Sequence, residues 1–164
     1  YNHDMRERTV KASTVETVHL IRNEDLNNAQ RLHGGRLALW IDDVAALVAV
    51  RHSGMKVTTA SIDNLRFLRP VYLTDIVVII GKPTHVGNTS MEIKVETYVE
   101  HLNRERELVN KAYFTLVGLD ENDKPSPLPK LVLETEEDQV EWENAEIRRA
   151  LRKEQREMGF NFYE

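Results

Sequence analysis

Between Gly34 and Val50 the chain changes texture. Leu37, Leu39, Trp40, Ile41, Val44, Leu47, Val48 and Val50 fall on every side of a helix, and Arg36, Asp42 and Asp43 are the only charges before Arg51. A helix apolar all round is enclosed by protein, so this segment is predicted as a buried central helix. Val10 to Ile21, rich in Val and Thr, reads as a first strand, and Asn23 to Leu32, polar and rich in Asn, as a loop. After Ser53-Gly54 come short branched runs bounded by turns: Val57 to Leu68, ended by Pro70; Asp75 to Val86, ended by Gly87; Ser90 to His101; and Leu108 to Leu119. In Ser90 to His101, Met91, Ile93, Val95, Thr97 and Val99 alternate with Glu92, Lys94, Glu96, Tyr98 and Glu100, the pattern of a strand with one wet face.

Pro125, Pro127 and Pro129 make an extended connector that a sheet cannot absorb. From Glu134 the chain reads as helix, acidic early and basic late (Arg148, Arg149, Arg152, Lys153, Arg156). That order complements the helix dipole, and a solvated helix is the plain reading. Strands joined by short connections pair antiparallel most easily. The expected fold class is therefore α+β, an antiparallel sheet wrapped round one helix, with a charged outer helix. A length of 164 residues suits one domain. Its body is expected over residues 1–130 and a helical extension over 131–164.

Composition narrows the function. A net charge of −5 argues against a protein built to neutralise a nucleic-acid backbone. The absence of cysteine removes disulfides, thiolate metal sites and thiol nucleophiles. The longest apolar stretch, Leu37 to Val50, is shorter than the roughly 20 residues needed to span a bilayer, so no membrane span is expected. Tyr1 to Arg8 is polar and lacks a signal-peptide core, and a cytosolic home is the simplest reading.

Asp42 is the feature that packing does not explain. An ionised carboxylate in an apolar setting costs several kcal/mol unless paired or hydrogen-bonded. Gly35 and Asp42 are seven residues apart, nearly two turns, and share one side of the helix, whereas Asp43 points about 100° away. Pairing of the two aspartates with Arg36, Arg51 or a partner chain is the structural explanation, and it stays open at this point. Gly34-Gly35 at the mouth of the helix would let a ligand approach free N–H groups, as an oxyanion does. His33, His52 and His85 show no metal-ligand spacing, and no G-x-S-x-G, P-loop or Rossmann pattern is present. Arg104, Arg106 and Lys111 could meet phosphates or serve as surface charges.

Several ordered motifs then agree. Asn27, His33-Gly34-Gly35, Trp40-Ile41-Asp42-Asp43, Arg51-His52, Val57-Thr58-Thr59-Ala60-Ser61-Ile62-Asp63, Phe67, Pro70 and Gly87-Asn88-Thr89-Ser90-Met91-Glu92 resemble the hotdog-fold acyl-CoA thioesterases of the cytosolic acyl-CoA hydrolase type. The resemblance covers about residues 10–130. It implies a hotdog fold in which a five-stranded sheet wraps the central helix, protomers join sheets edge to edge, and sites lie between protomers of a hexamer, a trimer of dimers. It implies Asp42 and Asn27 as the catalytic side chains, Asn27 of one chain meeting Asp42 of another. It further implies His33, Gly34, Thr59, Ser61, Gly87, Asn88, Thr89 and Ser90 as substrate-binding positions, with Arg104 and Lys111 as candidates for phosphates. The implied substrate is acyl-CoA; coenzyme A belongs to substrate and product, and no separate cofactor or metal is expected. Two departures stand out: Gln30 and Arg31 occupy positions where a Gly and a small or polar residue are frequent, and Asn88 stands where an Arg is common.

Two rival readings share the fold. A hydratase or dehydratase on thioester-linked acyl chains would pair an acid with His33 or His52. A sensor would bind acyl-CoA and leave it intact, and a DNA-binding one would need a basic helix-turn-helix module for which this chain has no room.

Overall fold

A computed structural model describes residues 5–159; the ends of the two segments outlined above, 1–4 and 160–164, lie outside the described residues. In chain order the elements are β1 (Arg8–Thr9), α1 (Val10–Ser13), β2 (Val15–Leu20), α2 (Gly34–Ser53), β3 (Lys56–Phe67), β4 (Ile76–Val86), β5 (Ser90–Glu100), β6 (Arg106–Leu119), β7 (Leu131–Val132) and α3 (Glu136–Glu157). The five long strands form one antiparallel sheet in the order β2-β4-β5-β6-β3. The strands that flank α2 in sequence thus become the two sheet edges, and the sheet wraps the helix between them. This is the expected architecture.

Local chemistry sets the limits of α2. The His33 ring caps its start by accepting the Gly35 N–H, and Gly54, in the left-handed conformation at φ 66°, ends it with an N–H to the Val50 carbonyl at 2.7 Å. Ile41, Val44, Ala45, Val48 and Ala49 are buried against the sheet. Contact is close because β4 carries Gly81 there: a Cβ at that position would stand 2.7 Å from Val44 Cγ1 and 3.0 Å from Val48 Cγ2.

Four features differ from the sequence reading. Val10 to Ser13 is a helical turn, because the Thr9 hydroxyl accepts the Ala12 N–H at 3.0 Å and the Thr14 hydroxyl donates to the Val10 carbonyl at 2.9 Å. Such local side-chain bonds outcompete strand pairing. The helix α2 is not enclosed within one chain: Leu39, Leu47 and Val50 are 53%, 50% and 44% exposed. The outward face of β5 is not wet, since Glu92 and Lys94 are 4% and 5% exposed. Its cover is α3, which is docked rather than solvated. Glu137 meets Lys82 at 2.9 Å, Glu141 meets Lys94, Arg148 meets Glu92 at 2.6 Å, and the Trp142 ring packs on His85 with centres 4.0 Å apart. The acidic-then-basic order of α3 therefore matches charges on the sheet as well as its own dipole.

His52 ties the outer segments to the core. It is fully buried, its Nδ1 pairs with the Ser13 hydroxyl at 3.1 Å, and its Nε2 donates to the Pro129 carbonyl at 2.8 Å. Burial lowers its pKa from 6.5, and burial likewise lowers those of His85 and His19. Below about pH 6.5 the unfolded chain then binds more protons than the folded one, so stability is present above that pH and is lost as the pH falls. Thermal unfolding followed between pH 8 and pH 5 should show a flat Tm above about pH 7 and a decline below about pH 6.5.

Candidate active site

Asp42 lies on the border between the buried and exposed faces of α2 and is half-buried. Its Oδ1 accepts the Thr59 hydroxyl of β3 at 2.8 Å, just before the register shift that separates Thr59 from Ser61. Its second carboxylate oxygen makes no hydrogen bond among the described residues. The arginines that could have neutralised it are engaged elsewhere. Arg36 lies 3.5 Å from Asp25 and donates to the Glu24 carbonyl, and Arg51 donates to the Thr14 carbonyl at 2.7 Å. Neither arginine pairs with Asp42 among the described residues, and Asp43 is simply exposed.

The helix mouth is more occupied than its glycines suggest. The Gly35 N–H is bound by His33 Nδ1 at 3.0 Å, so a carbonyl oxygen must take the place of the ring to use it. Gly34 packs against the Phe67 ring, which a Cβ at position 34 would meet at 3.6 Å. Gly35 and Asp42 share a side of the helix, but seven residues of rise put them about 10 Å apart along the axis. They flank a gap and do not touch.

Asn27 sits in the loop before that mouth. Its Oδ1 accepts the N–H groups of Ala29 at 2.9 Å and Arg31 at 3.2 Å, and its amide N–H groups make no hydrogen bond among the described residues. Gln30 takes φ 62° to close this turn, the conformation in which glycine is cheapest, which is why a glycine suits this position and the glutamine sits there at a steric cost. Asn27 edges a cleft of about 390 Å³ whose apolar floor includes Leu32, Leu37, Phe67, Val71 and Val109. Within one chain Asn27 and Asp42 make no contact with each other: each spends its hydrogen bonds on different neighbours.

The remaining expected positions do not converge in one chain. Gly87, Asn88, Thr89 and Ser90 form the turn between β4 and β5, held by Gly87 N–H to the Ser90 carbonyl at 2.8 Å. Arg104 lies in the turn at the other end of β5, roughly 35 Å away along the strand. Lys111 is on β6, its ammonium 5.8 Å from the Tyr113 ring centre. The turn is instead met by residues that the sequence pattern assigns to a solvated helix: the Arg149 guanidinium presses on Gly87, and His85, Ser90, Arg149, Arg152 and Arg156 border one cleft. Only the charge order of α3 hints at them. Among the described residues no cluster of His, Asp or Glu could hold a metal ion, and no helix is long and apolar enough to cross a membrane.

A five-stranded antiparallel sheet wrapped round one helix is the hotdog architecture, and a hydrogen-bonded carboxylate partway along that helix is its candidate reactive group. Comparisons with known proteins agree. Residues 29–104 match the family described as Thioesterase superfamily. The uncharacterized acyl-CoA thioester hydrolase YkhA of Bacillus subtilis is 40% identical over 144 residues, 87% of this chain and 83% of that protein. The cytosolic acyl coenzyme A thioester hydrolase of Mus musculus is 33% identical over 143 residues, but they make up only 38% of that longer protein. The Staphylococcus aureus acyl-CoA hydrolase, solved with butyryl coenzyme A, coenzyme A and coenzyme A disulfide, superposes with a TM-score of 0.87 at 28% identity, over 93% of this chain and 94% of that one. An apo-hexameric acyl-CoA thioesterase gives 0.87 at 34% identity, over 92% and 97% of the two chains. The chain belongs to the Thioesterase superfamily, among its acyl-CoA thioester hydrolases, and is a thioester-hydrolysing enzyme.

Proposed function

We propose that this protein hydrolyses acyl-CoA to a free fatty acid and coenzyme A, with Asp42 as general base. The observation that carries this reading is the Asp42 carboxylate itself, fixed by the Thr59 hydroxyl through one oxygen and open at the other. The open oxygen takes the proton of a water as that water attacks the thioester carbonyl carbon; direct attack by the carboxylate is the second use of the same geometry. The oxyanion is received by the Gly35 N–H after the His33 ring turns away, with the positive end of α2 behind it. The unpaired amide N–H of Asn27 orients the carbonyl or the water. A thiol leaving group, pKa about 8.5, departs with little help from an acid. No second catalytic proton donor is therefore required.

The Staphylococcus aureus enzyme is known as variants in which one Asp, one Asn and one Thr are each changed to Ala. Those three positions are spaced along its chain as Asp42, Asn27 and Thr59 are here. We place Asn27 of one protomer opposite Asp42 of another. The second copy covers the unpaired edge of β3, where Ile62, Leu65 and Phe67 are exposed, and the Leu39, Leu47 and Val50 stripe of α2. A hexamer in the cytoplasm is the assembly we propose, on the strength of the hexameric and cytosolic relatives. Residues 1–130 form the catalytic unit in this account, and residues 131–164 its extension. The 390 Å³ cleft beside Asn27 takes the acyl chain, and the motif residues Ser61 and Gly87 to Ser90 contact the rest of the substrate.

Of the two imidazoles the hydratase reading could use, His52 is buried with both nitrogens engaged, which leaves only the His33 ring at the mouth of α2. A panel of acyl-CoAs from acetyl to palmitoyl, read with a thiol reagent, tests the proposal. Release of free thiol from at least one member is expected. A change in enoyl absorbance without thiol would indicate a hydratase, and bound but intact acyl-CoA over hours would indicate a sensor.

A further inference from the structure

The mouth of α2 is closed by the residue that begins it. The Gly35 N–H donates to His33 Nδ1 at 3.0 Å, and the ring lies so close that a Cβ at position 35 would stand 3.1 Å from both Nδ1 and Cε1. Glycine at 35 is what lets the ring sit there. A side-chain acceptor at this position is ordinary, because it satisfies one of the free N–H groups of a helix start. The choice of residue is not. Ser, Thr, Asn and Asp are the usual caps, and the hydroxyl and amide oxygens among them accept at any pH. An imidazole nitrogen accepts only while it carries no proton, and in the protonated ring both nitrogens are donors.

The ring also has a second place to go. His33 is exposed and borders a cleft of about 310 Å³ that Glu24, Leu26, Gly35, Arg36 and Leu39 complete. That is roughly the volume of ten waters, ample for an imidazole. The charged residues around it come from the turn Asn23–Asp25, which supplies Glu24 and Asp25, and from α2, which supplies Arg36. Arg36 is already engaged, 3.5 Å from Asp25 and donating to the Glu24 carbonyl. Glu24 has no ion pair with a cation among the described residues. Arg31, two residues before the ring, borders the other cleft, beside Asn27. Protonation therefore sets a donor against the Gly35 N–H in the first position and places a cation beside Glu24 in the second.

We propose that His33 is a two-position gate on the Gly35 N–H. The neutral ring closes the donor in the resting protein; the protonated ring swings into the cleft beside Glu24 and frees the donor for the thioester oxygen. The use of that N–H rests on the acyl-CoA reading above, whereas the gate itself does not. A substrate that needs the freed donor binds only the open form, so its apparent affinity falls by the fraction of chains that are closed. Hydrolysis is then restrained at alkaline pH and released as the pH falls, against the opposite demand of a carboxylate base. His33 acts through Gly35 and is a positioning residue.

The gate is tested without substrate. Glycine labelled with 15N and with 13C at its carbonyl singles out one amide by magnetic resonance, that of Gly35, because Gly34-Gly35 is the only pair of adjacent glycines in the chain. Between pH 8 and pH 5 that amide proton should move in the ligand-free protein as the ring lets go. In His33→Asn, whose carboxamide oxygen caps the helix but takes up no proton, it should stay in place; the Tm of this variant, measured alongside, shows that it folds. An amide that stays fixed in the natural protein, or that moves equally in His33→Asn, overturns the proposal. Kinetics then show the consequence. Divided by the value for His33→Ala at the same pH, kcat/KM of the natural protein for an acyl-CoA should rise about fivefold from pH 8 to pH 5.5, the closed fraction that one cap bond sustains. The same ratio for His33→Asn should stay level. A level ratio for the natural protein also overturns the proposal. Absence of thioester hydrolysis in the natural protein would defeat the acyl-CoA reading and leave the Gly35 amide to decide this one.

Discussion

Asp42→Ala is expected to lower kcat for acyl-CoA hydrolysis by at least about 10²-fold, the usual contribution of a general base. Folding and assembly should survive, because Asp42 is half-buried and its one hydrogen bond, to Thr59, leaves behind a hydroxyl that water can reach. Circular dichroism and size-exclusion chromatography check the fold, and steady-state thiol release checks the rate. Asp43→Ala supplies the control: that side chain is exposed, and its loss should leave turnover within about twofold, as surface substitutions do. Comparable losses from the two variants would remove Asp42 from its role.

The largest stability effect is expected on the other side of the sheet. Glu92→Ala removes the carboxylate that holds Arg148 and Arg152 and strands their charges in a mostly buried place. Breaking a buried pair by deleting one partner costs about 3 kcal/mol, or roughly 10 °C in Tm for a chain of this size. Glu137→Ala removes an ion pair on the same helix, but its side chain is 72% exposed. A surface pair is worth at most about 1 kcal/mol. Differential scanning calorimetry of both variants should therefore show a large shift and a small one.

How much of this is legible in the sequence depends on whether the cause is local. The spans of α2 and of β3 to β6 follow from short-range periodicity and from caps such as His33 and Gly54, so they are readable within a residue or three. The turn at Val10 to Ser13 escapes that reading because two threonine hydroxyls, and not hydrophobic alternation, decide it. The outer face of β5 reads as wet because its cover arrives later in the chain: Glu92 meets Arg148 across 56 residues. The apolar stripe Leu39, Leu47 and Val50 reads as core because periodicity does not distinguish a chain's own interior from a surface another copy can cover.

The candidate site divides in the same way. Asp42 is visible as a charge out of place, and its Thr59 partner lies in a matched motif. The Gly35 N–H reads as free because a sequence does not say where the His33 ring points. Arg149 and Arg156 read as part of a solvated face because nothing local marks which side of α3 meets the sheet.

The central claim is a site that Asp42 and Asn27 complete from two different chains. Subunit mixing tests it directly. Asn27→Ala and Asp42→Ala, each purified alone, should be nearly inactive. When the two are co-expressed and assemble at random, half the dimers carry one chain of each kind, and each such dimer keeps one intact site of two. Recovery to about a quarter of natural activity is the predicted result. Mixed assemblies, verified by native mass spectrometry, that remain as inactive as either parent would contradict the account.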